Sequence, residues 1–99
     1  MSSNYTNKLN SIEMEIKQDN WNLASNRLDN LSKSFKYEKN TWYKLINHGY
    51  FNEIFLSLEI LNESIGLRDK LITLQELERI KMILNNLEED DRCDFNRIF

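Results

Sequence analysis

Proline is absent, valine is absent, and glycine occurs only twice, at Gly49 and Gly66. Sheet proteins depend on proline and glycine to punctuate short strands, so their scarcity excludes most all-β architectures and leaves long helices. Two glycines also cannot build a phosphate-cradling loop or a nucleophile elbow. Cysteine is limited to Cys93, which rules out an intramolecular disulfide and a thiolate metal cluster. The chain carries one histidine, too few for a His-x-x-x-His zinc site, and it has no Glu-x-x-His pair of the di-iron bundle type. No run of 18 apolar residues exists, so nothing in the sequence reads as a transmembrane helix. Nor does an apolar signal-peptide core follow the opening MSSNY.

Charge is balanced rather than one-signed. Thirteen basic and sixteen acidic residues give a net charge of −3. Lys33, Lys36, Lys39 and Lys44 cluster in sequence, but at 100° per residue they fan around a helix and form no basic face. Nucleic-acid binding is therefore not expected. The run Glu88-Glu89-Asp90-Asp91 lacks the alternating ligands and central glycine of a calcium loop, and reads as a solvated helix end. Ninety-nine residues make a single helical domain, 1–99.

What is present is helical periodicity. Tyr5, Leu9, Ile12 and Ile16 form an apolar stripe that predicts a helix over about 4–18, with Met14 off the stripe. Asp19 is the expected N-cap of the next helix. There Trp21, Leu28, Phe35 and Trp42 recur every seventh residue, with Ala24, Leu31 and Leu45 interleaved and Glu38 interrupting the second series. Such a seam predicts a spine helix over about 20–47, roughly 40 Å long.

TWYKLINHGYF, residues 41–51, then reads as a corner. Gly49 supplies the helix stop, and His48 suits the negative helix end. Asn52 caps a third helix over about 52–65, with Phe51 and Leu56 as a hydrophobic staple. Ile54, Leu58, Leu61 and Ile65 form its stripe, Phe55 widens it, and Gly66 ends it. Asp69 or Thr73 starts the fourth helix; Leu71 fits the stripe of Leu74, Leu77, Ile80, Leu84 and Leu87 and favours Asp69. Phe95, Ile98 and Phe99 are expected to dock on the bundle. The predicted fold is all-α, a four-helix bundle-like array of two αα-hairpins. Asp19 and Asp69 begin the second member of each, but the apolar positions slip by one residue afterwards, so no repeat is assigned.

Candidate chemistry is thin. His48 is the sole general base titrating near neutrality, and Trp42, Tyr43 and Tyr50 lie near it in sequence. These four are the candidate ligand or interaction residues; no catalytic, cofactor-binding or metal-ligating residue is assigned, and no cofactor is expected. A small-ligand or metal-binding bundle around His48 is the alternative to a non-catalytic interaction domain. An unknown protein partner is expected. A homodimer would cover apolar surface that shorter helices leave open along the spine.

The order Trp21…Ala24…Leu28…Leu31, Trp42…Leu45-Ile46…His48, Ser57-Leu58…Leu61…Ile65…Asp69 and the closing Asn96-Arg97-Ile98-Phe99 resembles a family of short helical proteins of unknown function. These occur in spore-forming Gram-positive bacteria. The resemblance covers about residues 9–99. It implies a helical domain outside the cytoplasmic membrane, usually preceded by an apolar anchor or export segment that this sequence does not display. It supplies no catalytic residues, and the family histidine falls on His48.

Overall fold

The computed structural model describes residues 4–38 and 48–89, with side chains described over 5–38 and 49–86. Four helices account for nearly all of them: α1 (Asn4–Lys17), α2 (Trp21–Tyr37), α3 (His48–Gly66) and α4 (Lys70–Glu89). Each packs on two neighbours, α1 against α2 and α4, and α3 against α2 and α4. The result is a closed ring of helices around one core, an all-α four-helix bundle of two hairpins.

The predicted stripes build that core. Tyr5, Leu9, Ile12 and Ile16 are buried on α1, and Ala24, Leu28, Leu31 and Phe35 on α2. Ile54, Leu58, Leu61 and Ile65 are buried on α3, and Leu77, Ile80, Ile83 and Leu84 on α4. Trp21 and Phe55 are half-buried against them. Each fully buried aliphatic side chain contributes roughly 1.5–3 kcal/mol. Met14 stands in solvent, as its place off the stripe requires.

The spine is shorter than its seam suggested. α2 ends at Tyr37, where Glu38 leaves helical geometry at φ −90° and ψ 12°, its N–H reaching the carbonyls of Lys36 and Ser34. The helix stops where a glutamate takes the place of an apolar seam residue. At 17 residues α2 is longer than α1, which has 14, but shorter than α3 and α4, which have 19 and 20. Trp42 and Leu45, the last expected seam residues, lie outside the described residues, as do Cys93 and the tail of Phe95, Ile98 and Phe99. The expected corner is also corrected. His48 and Gly49 open α3 instead of closing α2, so Asn52 lies inside the helix and caps nothing. No staple forms either, because Phe51 is buried in the core while Leu56 points to solvent, 53% exposed.

Both hairpin turns have the same hydrogen-bonded form. At the end of α1, the Asp19 N–H donates to Ile16 and the Asn20 N–H to Glu15; after α3, the Arg68 N–H donates to Ile65 and the Asp69 N–H to Ser64. This is the Schellman arrangement, whose C′ residue is left-handed. Asp19 (φ 61°) and Arg68 (φ 56°) occupy that position, and neither is glycine. Asp19 is therefore the left-handed turn residue and not the N-cap. Asn20 precedes α2 with no side-chain cap bond. Asp69 does cap α4, its carboxylate accepting the Ile72 N–H at 3.1 Å. Leu71, the residue that favoured Asp69 in the sequence, is 68% exposed and contributes nothing to that choice.

The turns also expose a repeat. Asp19 and Arg68 are 49 positions apart, and the same offset pairs Tyr5 with Ile54, Leu9 with Leu58, Ile12 with Leu61 and Ile16 with Ile65. It continues with Ala24 and Thr73, Leu28 and Leu77, Leu31 and Ile80, and Phe35 and Leu84. Every one of these residues is buried. The second hairpin thus repeats the first, with α3 standing for α1 and α4 for α2. The one-residue slip in the sequence came from aligning Asp19 with Asp69, which have different roles in their turns.

Gly66 is the last helical residue of α3, has no positive φ, and a Cβ there would meet nothing within 4 Å. Gly66→Ala is expected to stabilise the protein by about 0.5–1 kcal/mol, since the helix loses only unfolded-state freedom. Arg68→Gly should help by a comparable amount by relieving the left-handed backbone. Urea denaturation of each variant checks both; destabilisation by Gly66→Ala would show that the turn needs its glycine.

Candidate functional site

Of the four residues singled out in the sequence, Trp42 and Tyr43 lie outside the described residues. His48 opens α3 at its backbone, at the positive end of that helix and not at the negative end of α2. Tyr50 is half-buried and packs on the core. Its neighbour Phe51 stacks on Phe35, centroids 4.9 Å apart and planes 17° apart, and Phe55 continues the stack at 6.3 Å. Tyr5 meets Phe35 edge-on at 6.4 Å. The aromatics at the start of α3 therefore include a structural ladder joining α1, α2 and α3.

Polar chemistry gathers between the helices instead. Across α1 and α4, the Lys81 ammonium reaches Glu13 at 3.0 Å and Glu78 at 3.3 Å, and Lys17 lies 3.7 Å from Glu13. Lys81 and Glu13 are largely shielded, 17% and 20% exposed. Burial pushes the Glu13 carboxyl up, but hydrogen bonding to Lys81 and Glu78 and the charges of Lys81 and Lys17 outweigh it, leaving the group below its usual range. Between α3 and α4, the Thr73 hydroxyl lies 2.8 Å from Ser64 Oγ and 2.6 Å from the Asp69 carbonyl, and the Ser64 hydroxyl reaches the Leu61 carbonyl at 3.1 Å. These hydroxyls are engaged structurally, with no base beside them among the described residues. Between α1 and α2, Arg27 pairs with Glu15 at 3.4 Å. Where the two turns meet, Lys70 donates to the Asp19 carboxylate at 3.2 Å and to the Lys17 carbonyl at 3.4 Å, holding the hairpin ends together.

The interface of α2 and α3 is crossed by no ion pair among the described residues. It holds a groove of about 100 Å³ bounded by Asp29 and Ser32 on one helix and Glu59 and Asn62 on the other, floored by Phe35 and Leu58. Lys36 lies over the Phe55 ring at its edge, 5.7 Å from the centroid. Neither this groove nor the Glu13–Lys81 pair could be read along the chain. Their members come from helices far apart in the chain, and no local spacing encodes such contacts. No group of three His, Cys, Asp or Glu side chains among the described residues is placed to share a metal ion. No described helix is long and apolar enough to cross a membrane.

Fold and polar interfaces together define a small four-helix bundle made of two structurally repeated hairpins. The model of a family described as a domain of unknown function (DUF4363) matches residues 1–98. The chain belongs to that family, in agreement with the resemblance to an uncharacterised family. No curated protein and no solved structure matches the chain.

Proposed function

We propose that this protein is a non-catalytic helical interaction domain that pairs with a second copy of itself through the outer face of its second hairpin. The reading is carried by a comparison the repeat makes available. Leu56, Leu67, Leu71 and Met82 are all more than half exposed. Their counterparts 49 positions earlier are Asn7, Gln18, Asn22 and Lys33, all exposed and all polar. The same fold positions are met by water in both hairpins, so the fold does not require apolar groups at any of them.

Their spacing suits self-pairing. Leu56 and Leu67 are 11 residues apart, as are Leu71 and Met82. Because 11 residues make about three turns, Leu71 and Met82 lie along one side of α4 some 16 Å apart, while Leu56 sits mid-way along α3 and Leu67 is the turn residue directly after its end. The three-residue turn makes α3 and α4 antiparallel. A two-fold axis along the hairpin therefore sets Leu67 of one copy against Leu71 of the other, and Leu56 against Met82, in an isologous contact.

Sedimentation across a wide concentration range tests the reading. A dimer that Leu71→Lys with Met82→Lys converts to monomer is expected; a wild-type protein that stays monomeric at millimolar concentration rejects it. The non-catalytic part fails if a broad hydrolase screen finds turnover that His48→Ala abolishes. The resemblance to anchored proteins of spore-forming Gram-positive bacteria supports a place at the cell envelope. Fractionation of the native gene product tests that placement, and recovery in the cytosol alone counts against it.

A further inference from the structure

The repeat places the α2–α3 groove opposite the α1–α4 ion pair, and the two interfaces correspond residue by residue. Asp29 corresponds to Glu78, Ser32 to Lys81 and Asn62 to Glu13, each pair 49 positions apart. At one interface Lys81 fills the space between the helices, its ammonium held by a carboxylate from each side at 3.0 and 3.3 Å. At the other, the lysine is replaced by Ser32 and a groove of about 100 Å³ remains.

The anionic surroundings have nonetheless been kept. Asp29 stands where Glu78 stands, and the two are similarly exposed, 63% and 67%. The carboxylate of the facing helix is supplied by Glu59, one turn from Asn62 on the same side of α3. Asp29 is paired with Lys33 at 3.0 Å, but both groups are largely in water, where such a pair is worth little. Glu59 forms no ion pair among the described residues. Phe35 and Leu58 give the groove an apolar floor, and the Phe55 ring at its edge already attracts one cation, Lys36.

We propose that this groove binds a primary alkylammonium group, held between Asp29 and Glu59 as Lys81 is held across the opposite interface, with its methylenes on the Phe35–Leu58 floor. The space admits an ammonium head and a short alkyl stem, the common end of a free diamine and of a lysyl side chain. Lys36 competes for the same aromatic edge. The proposal does not rest on dimerisation, because the groove lies between α2 and α3 and the pairing face lies on the outside of α3 and α4.

Titration of the full chain with cadaverine, followed by amide chemical shifts, is the test. Saturable changes centred on Ser32, Glu59 and Asn62 are expected. Glu59→Gln should weaken binding about ten-fold through loss of a charge-assisted hydrogen bond, and Lys36→Met should tighten it by removing the competing cation. Ser32→Lys restores the residue type found at Lys81 and should both abolish binding and raise the melting temperature. Nα-acetyl-lysine amide separates the two sources: tighter binding than cadaverine identifies a lysyl side chain, and weaker binding a free diamine. The proposal is overturned if the wild-type protein shows no saturable response to either probe. Equal binding by wild type and Glu59→Gln, a surface change that leaves the core intact, overturns it as well, whatever the fate of Ser32→Lys.

Discussion

Phe35→Ala is expected to destabilise the protein by about 3–5 kcal/mol, enough to unfold much of a domain this size at 37 °C. Phe35 is 1% exposed and sits on the predicted seam of α2. Its ring stacks on Phe51 of α3 and meets Tyr5 of α1 edge-on. Truncation removes aromatic contacts with two helices at once and leaves a cavity that rigid neighbours close only in part. Its repeat counterpart, Leu84, is buried to a similar degree, 3% exposed, but has no aromatic stack to lose. Leu84→Ala should therefore cost less, about 2–4 kcal/mol. Thermal denaturation of both variants checks the order, with Leu23→Ala, at a 42% exposed site, as the near-neutral control. Equal losses for Phe35→Ala and Leu23→Ala would remove Phe35 from the core.

The second large effect is electrostatic and depends on pH. Lys81→Met is expected to cost about 1–2 kcal/mol near pH 7, because Glu13 and Glu78 are left facing each other without the ammonium between them. Glu13 has a folded-state pKa below its ordinary value of 4.5. The stability it contributes is fully present above that ordinary value and is lost as pH falls through the lower folded value. The gap between wild type and Lys81→Met should therefore be widest near neutrality and narrow on acidification below about pH 4.5. Glu13→Gln should show the same flattening with acid. Denaturant melts at pH 7 and pH 3 decide the matter; a gap that stays constant between them would mean that Lys81 acts through its methylenes alone.

The features that could be read along the chain are those set by one helix at a time. Burial of Tyr5, Leu9, Ile12 and Ile16, and of Ile54, Leu58, Leu61 and Ile65, followed from periodicity alone. A stripe of apolar residues must face away from water whatever it packs against. The end of α2 was legible in part: Glu38 marked the interruption, but the apolar residues beyond it suggested a helix running on. Leu71 shows the opposite error. It fitted the stripe of α4, yet at the first turn of the helix its side faces outward, and Ile83, not assigned to the stripe, is buried instead.

The repeat hid for a physical reason as well. A core asks for volume and apolarity rather than identity, so only Leu9 and Leu58, Ile16 and Ile65, and Leu28 and Leu77 match among the paired core positions. Surface residues are free to diverge further, and they do. The candidate site was least legible of all. His48, Trp42, Tyr43 and Tyr50 were chosen because they are chemically distinctive and close in sequence. Yet the described structure places a shielded ion pair at Glu13 and Lys81, and a groove between Asp29 and Glu59.

Sequence alone determined that this chain would be helical, which side of each helix would be dry, and that no phosphate loop or thiolate metal cluster could form. Those properties depend on residue type and spacing within a single segment. Only the tertiary structure decided where Asp19 and Arg68 would turn left-handed, that the hairpins repeat at an interval of 49, and that one interhelical space is filled by Lys81 while its counterpart stands open at Ser32. Such outcomes are fixed by the packing of helices on one another, which brings together side chains that no local pattern relates.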